Sequence, residues 1–100
     1  MLNSEKRLVC EDLFEVAISN RARRSLRRLP GHYARRAILA FEALKQNPAP
    51  VPEYDVKKLR GFKNVYRIRV GDIRIEYEVA WESRRINVLV VEFRSQAYRS

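Results

Sequence analysis

Three arginines at alternating positions of one short segment are the residues of this chain best suited to chemistry. Residues 64–79 read NVYRIRVGDIRIEYEV. Apolar and polar residues alternate on both sides of Gly71-Asp72, the pattern of half-buried strands. A Gly-containing pair between two such runs predicts a hairpin turn. A two-residue turn would pair Val70 with Ile73, Arg69 with Arg74, Ile68 with Ile75 and Arg67 with Glu76. Tyr66, Ile68, Val70, Ile73, Ile75, Tyr77 and Val79 then share one face, and Arg67, Arg69, Arg74, Glu76 and Glu78 the other. Arg69 and Arg74 would stand directly opposite each other, which destabilises a hairpin. A guanidinium is a rigid fork of donors matched to phosphate. This face is therefore expected to hold an anion.

The rest of the chain agrees in charge. Among 100 residues, 21 Lys and Arg face 12 Asp and Glu, for a net charge of +9. Arg outnumbers Lys, and nucleic acid, or an acidic protein that mimics or masks that contact, is the expected partner of such a surface. Hydrophobic residues make up 46%, which suits a globular domain and excludes a disordered chain. The single Cys10 cannot close an internal disulfide, and a reduced cytoplasmic location is expected. No apolar run approaches a membrane span, and the N-terminal residues show no signal-peptide core. No His/Cys/Asp/Glu spacing suggests a metal, and no cofactor is expected.

The elements that must position the arginines follow from periodicity. Residues 1–11 form a short extension, and 12–100 the folded domain. Phe14, Val16 and Ile18 alternate in a first strand over 13–18, and Ser19 or Asn20 can cap a helix. That helix, 21–29, puts Ala22, Leu26 and Leu29 on one stripe. Arg21, Arg23, Arg24, Arg27 and Arg28 fill the remainder, and Pro30-Gly31 ends it. A second helix is predicted over 33–46, with a stripe of Ala34, Ala37, Ile38, Phe41 and Leu44. His32, the only histidine, falls at the turn into it. Three prolines in 48–52 forbid helix and favour an extended connector. Residues 56–61 lead into the hairpin. The last strand, 86–93, is apolar on both parities from Val88 to Val91 and is expected inside the sheet with both faces covered. The predicted fold is α+β in the order β-α-α-β-β-β. Two N-terminal helices pack on one face of a small, mostly antiparallel twisted sheet. Tyr66, Tyr77 and Trp81 lie on the core parity and are expected to pack there. The arginine face is left open, a cradle for a single strand of RNA or DNA.

The segments 58–61 (KLRG), 66–79 and 94–98 (RSQAY) together resemble the RelE/ParE superfamily of toxins from toxin–antitoxin systems. The spacing matches from about Leu13 to Tyr98, and the connector followed by 54–61 is most like archaeal members. The resemblance implies a RelE-like toxin of a type II system that enters the ribosomal A site and cuts messenger RNA without a metal. The 2′-hydroxyl attacks the adjacent phosphate, and a 5′-hydroxyl leaves. Arg67, Arg69, Arg74, Arg94 and Tyr98 match the family's catalytic positions. Arg74 is the expected phosphate clamp, and Tyr98 is placed to stack on a base or move a proton. Arg21, Arg23, Arg24, Arg27, Arg28, Lys57 and Lys58 are expected to dock on ribosomal RNA, although the helix arginines equally fit a plain solvated face. The partners implied are the ribosome, its mRNA and a cognate antitoxin. The antitoxin would supply a helical, acidic segment, in a heterodimer or heterotetramer.

Two positions depart from the pattern. Better-known members carry lysines where this chain has Arg67 and Arg69, and many place His where it has Phe93. Arginine is not deprotonated in proteins, so neither Arg67 nor Arg69 can be the general base. Glu76, Glu78 and Tyr98 are the alternatives, with Glu92 further down. Glu76 opposite Arg67 also fits a plain cross-strand ion pair. Other activities fit the same fold: a ParE-like gyrase inhibitor, or a catalytically weakened toxin acting as an antitoxin-binding, autoregulatory module.

Overall fold

The structure, a computed structural model, describes residues 13–93. The elements are β1 (Glu15–Ile18), α1 (Asn20–Arg28), α2 (Gly31–Gln46), β2 (Asp55–Lys58), β3 (Val65–Val70), β4 (Ile73–Ala80) and β5 (Arg85–Phe93). They build one five-stranded sheet in the order β1-β5-β4-β3-β2. All neighbours are antiparallel except β1 and β5, which run parallel. The α+β class therefore stands, with one strand more than the sequence pattern predicts. The extra strand, β2, has a single apolar residue, Val56, too few to show an alternation. It is short and carries exposed Lys57 and Lys58, which suits a protected sheet edge.

The hairpin register is the predicted one: Val70 opposite Ile73, Arg69 opposite Arg74, Ile68 opposite Ile75 and Arg67 opposite Glu76. Gly71 has φ +61°, while Asp72 is not left-handed. A positive φ at the first central residue alone is the pattern of a II′ turn, which requires Gly there. Below it, Ile68, Ile73, Ile75, Tyr77, Val79, Ile86, Val88 and Val91 bury one face against Ala22, Ala37, Ala40, Phe41 and Leu44 of the helices.

Ser19 joins the helical layer to the sheet. Its hydroxyl accepts from the Ala22 amide at 3.0 Å, capping α1, and donates to the Leu89 carbonyl at 3.0 Å. Its own amide donates to the Val88 carbonyl. A bulge lies at this place, where Glu76 faces Val90 and Tyr77 faces Val88, so that Leu89 has no opposite residue. The apolar run Val88 to Val91 thus reflects an inserted residue. Contrary to expectation, the second face of β5 is not covered: Leu89 is exposed and Val90 half-buried.

The second helix begins at Gly31, so exposed His32 lies in its first turn, with its ring 4.1 Å from that of Tyr33. Ile38 does not join the predicted stripe: it is 53% exposed, beside Leu39 at 57%, and Ala40 takes the core position. Trp81 packs at the rim, edge-on to Phe14.

Tyr77 fastens the proline-rich connector to the centre of the sheet. It is fully buried, stacks on Tyr66, and donates its hydroxyl to the Pro48 carbonyl at 2.6 Å. Burial, with a smaller contribution from Tyr66, pushes its phenol far above the usual range. An unfolded tyrosine titrates near about pH 10. The folded value is raised, so the stability Tyr77 supplies is complete below that pH and is lost as pH rises past it. Tyr77→Phe should cost about 1–3 kcal/mol at neutral pH, through the orphaned carbonyl. In urea titrations across pH, the gap between the two proteins should narrow above about pH 10.

Candidate nucleic-acid interface

The face turned away from the helices carries its charges in two transverse rows set by strand register. One row runs Asp55, Arg69, Arg74, Glu92 across β2, β3, β4 and β5. The next runs Lys57, Arg67, Glu76, Val90. The predicted stack of like charges is therefore real, since Arg69 does stand opposite Arg74. Carboxylates interleave with it, however, so the face is not uniformly cationic.

The ion pairs run between rows rather than across strands. Arg67 Nη1 lies 3.3 Å from Asp55 Oδ2, and Arg74 Nη2 lies 2.9 Å from Glu76 Oε2. The cross-strand pair expected between Arg67 and Glu76 exists as a register pair, but each residue bonds elsewhere. Glu76 turns along its own strand to Arg74, because side chains two apart on a strand share a face. Arg67 reaches diagonally to the edge strand. Arg69 is exposed and has no ion pair among the described residues.

Burial separates the two paired arginines. The Arg67 side chain is only 9% exposed, while its partner Asp55 is 62% exposed. A cation that cannot lose its proton is tolerable there because a carboxylate compensates it. Arg67 is thus a braced residue beneath the surface. Arg74 is 40% exposed, with its terminal nitrogen on Glu76. Its Nε is secluded from solvent and has no acceptor. An unsatisfied buried donor costs on the order of 1–3 kcal/mol and calls for an explanation.

Of the other predicted residues, Glu78 is exposed and accepts from Asn87 Nδ2 at 3.3 Å. Glu92 is exposed, opposite Arg74. Lys57 joins the open face beside Arg67, whereas Lys58 falls on the other parity. Arg21, Arg23, Arg24, Arg27 and Arg28 are all exposed on α1, and so stand on the helical layer, apart from the sheet arginines. Arg94 and Tyr98 lie outside the described residues. Asp55 is a member of this site that the sequence pattern does not single out. Its only signal was one carboxylate before Val56 in a strand too short to be recognised.

Two helices laid on one face of a mostly antiparallel sheet, with an arginine-bearing face beyond, define a toxin of the RelE/ParE class. Residues 16–98 match the family model described as ParE toxin of type II toxin-antitoxin system, parDE, and the chain belongs to this family. Within it, the chain is a RelE-like toxin. It is 36% identical over 87 residues to RelE1 of Methanocaldococcus jannaschii, covering 87% of this chain and 97% of that protein. A chain of the archaeal RelE–RelB complex from Pyrococcus horikoshii superposes with a TM-score of 0.75 at 31% identity, covering 84% of this chain and 98% of that one. A chain of the RelBE2 complex from Mycobacterium tuberculosis gives 0.70 at 27% identity, covering 82% and 99%.

The Arg67–Asp55 contact yields a measurable coupling. Because Asp55 is well solvated, its pairing should contribute only about 0.5–1 kcal/mol. A double-mutant cycle of Asp55→Asn and Arg67→Met, read by urea denaturation, should return that coupling and lose most of it in high salt.

Proposed function

We propose that this chain is a ribosome-dependent endoribonuclease that cuts mRNA in the A site and so stops translation. The 2′-oxygen of one nucleotide attacks the adjacent phosphorus, and the 5′-oxygen of the next nucleotide departs. Negative charge gathers on the phosphoryl oxygens in the transition state. Donors already aimed there, in a site that need not reorganise, stabilise that charge most effectively.

One observation carries this function. Arg67, Arg69 and Arg74 occupy neighbouring positions of the open sheet face, with Arg69 unpaired among the described residues and the Arg74 Nε without an acceptor. A phosphate oxygen is the natural acceptor for such donors, and Arg can take two oxygens at once. Arg67, braced by Asp55, would hold the floor of the site. Arg94 and Tyr98 would complete the set. The arginines of α1, together with Lys57 and Lys58, would contact ribosomal RNA, and binding would weaken steeply with salt.

The structurally similar RelE–RelB complexes from Pyrococcus horikoshii and Methanococcus jannaschii suggest an antitoxin partner for this chain too. Its acidic segment would cover the arginine face, and an amphipathic helix would cover exposed apolar residues such as Ile38 and Leu39. A heterodimer or heterotetramer in the cytoplasm is the assembly inferred.

Induced expression should arrest translation, with primer extension showing cuts within translated codons. Arg74→Ala should leave a folded protein by circular dichroism and lower cleavage by about 10²–10³-fold. Undiminished toxicity in a folded Arg67→Met/Arg74→Ala variant would overturn the function. Inhibition of gyrase supercoiling by the purified protein at low concentration would replace it with a ParE-like activity.

A further inference from the structure

With arginine at both basic positions of β3, the cleavage step lacks an evident base, and the geometry points to Glu76. We infer that Glu76 is the general base that takes the 2′-hydroxyl proton, held on Arg74 in the free protein and released when RNA phosphate replaces it there. This inference rests on the ribonuclease function proposed above.

Four carboxylates on this face could be considered. Asp55 lies on the edge strand and braces Arg67. Glu92 and Glu78 are both exposed, and Glu78 is bonded to Asn87. Glu76 alone touches the expected phosphate clamp, at 2.9 Å, and stands directly opposite Arg67. It is also the least exposed carboxylate in the Arg67 and Arg74 ion pairs, at 23%. A phosphate lying between Arg67 and Arg74 would therefore have this carboxylate beside it.

Two further features single out the position. The β5 bulge lies directly across from it, where the register shifts between Glu76 and Tyr77. Bulges re-aim side chains and gather next to active sites. Directly opposite Glu76 on β5 stands apolar Val90, with the unpaired Leu89 next to it and Glu92 on the diagonal. Secondly, the Arg74 Nε has no acceptor while Nη2 holds Glu76. A phosphate that took both nitrogens would satisfy the orphan donor and set the carboxylate free. Phosphate binding and exposure of the base would then be one event.

The proton balance closes. The 2′-oxygen bonds to phosphorus as its proton passes to the Glu76 carboxylate. The bond from phosphorus to the 5′-oxygen breaks, and water protonates that oxygen. The products are a 2′,3′-cyclic phosphate and a 5′-hydroxyl. Charged groups facing Glu76 are Arg67 and, diagonally, Arg69 from β3, Arg74 and Glu78 from β4, and Glu92 diagonally from β5. None of the described elements packs over this face.

The test uses single-turnover cleavage of mRNA on programmed ribosomes across pH, with binding measured on a message carrying a 2′-deoxy nucleotide at the cut. Glu76→Gln should cut about 10²–10⁴-fold more slowly, the usual contribution of a positioned base. It should bind the uncleavable message as tightly as wild type or more so, since a competing negative charge is removed. Wild type should show a limb in which rate rises with pH and then levels, absent from Glu76→Gln. Glu76→Asp should restore part of the rate and the limb. If Glu76→Gln cuts as fast as wild type, or if Glu78→Gln instead abolishes the limb, the role of Glu76 is overturned. A wild-type protein that cuts no RNA would sink the ribonuclease function, and this role with it.

Discussion

Everything on the working face depends on the register of β4 against its two neighbours. Ile73, Ile75, Tyr77 and Val79 are all buried beneath the helices, so a one-residue slip would drive Arg74, Glu76 and Glu78 into the core. Burying an unpaired charge costs far more than the slip could recover. The core therefore fixes which residues face outward, and the II′ turn at Gly71 fixes which of them meet. Arg69 opposite Arg74 follows from these two constraints together. The like-charge contact is tolerated because moving it would mean moving the core.

The same register explains why the pair does not simply repel. Alternate residues of β2, β4 and β5 bring Asp55, Glu76 and Glu92 onto this face. Two of these carboxylates make ion pairs between rows, and Arg69 is the hairpin cation with no ion pair among the described residues. The half-exposed Arg74–Glu76 pair contributes about 0–1 kcal/mol, little enough for an anion to displace. A site built from fully buried pairs would be rigid but closed to a ligand. Here Arg67 is buried and braced, Arg74 is half-exposed, and Arg69 has no ion pair among the described residues, a graded set that would suit capture of a polyanion.

Much of this was legible in the sequence because its signals were periodic. The hairpin register, the covered face, a helix cap at Ser19 or Asn20 and most of the helical stripes follow from alternation, turn chemistry or spacing. What escaped was whatever lacked a period. Val56 alone could not announce β2, so Asp55 went unseen as the brace of Arg67. The bulge disguised itself as a doubly covered strand, because an inserted Leu89 makes consecutive residues apolar without burying both faces. Ile38 looked like core by spacing, yet small Ala37 and Ala40 let α2 approach the sheet on a different line, and Ile38 was left outside. Ion-pair partners were also beyond reach: register says which residues are opposite, while rotamers decide whether a side chain reaches across, along or diagonally.

The exclusive use of arginine on β3 has a cost that the rest of the face must meet. A lysine can serve as both cation and, once deprotonated, base, but arginine stays charged in any folded protein. Replacing one by the other strengthens bidentate grip on phosphate and forfeits proton transfer. On the ribonuclease function proposed above, the two tasks would be divided between residues of opposite sign, standing within reach of the same phosphodiester. A sheet face with period two does this economically, since residues i and i+2 on one strand are neighbours and can hold each other until a ligand intervenes. Arg74 and Glu76 stand in that relation at the centre of the sheet, beside the one place where the ladder is deformed. The carboxylates that temper the positive charge of this face are thus what an arginine-only site needs in order to do more than bind.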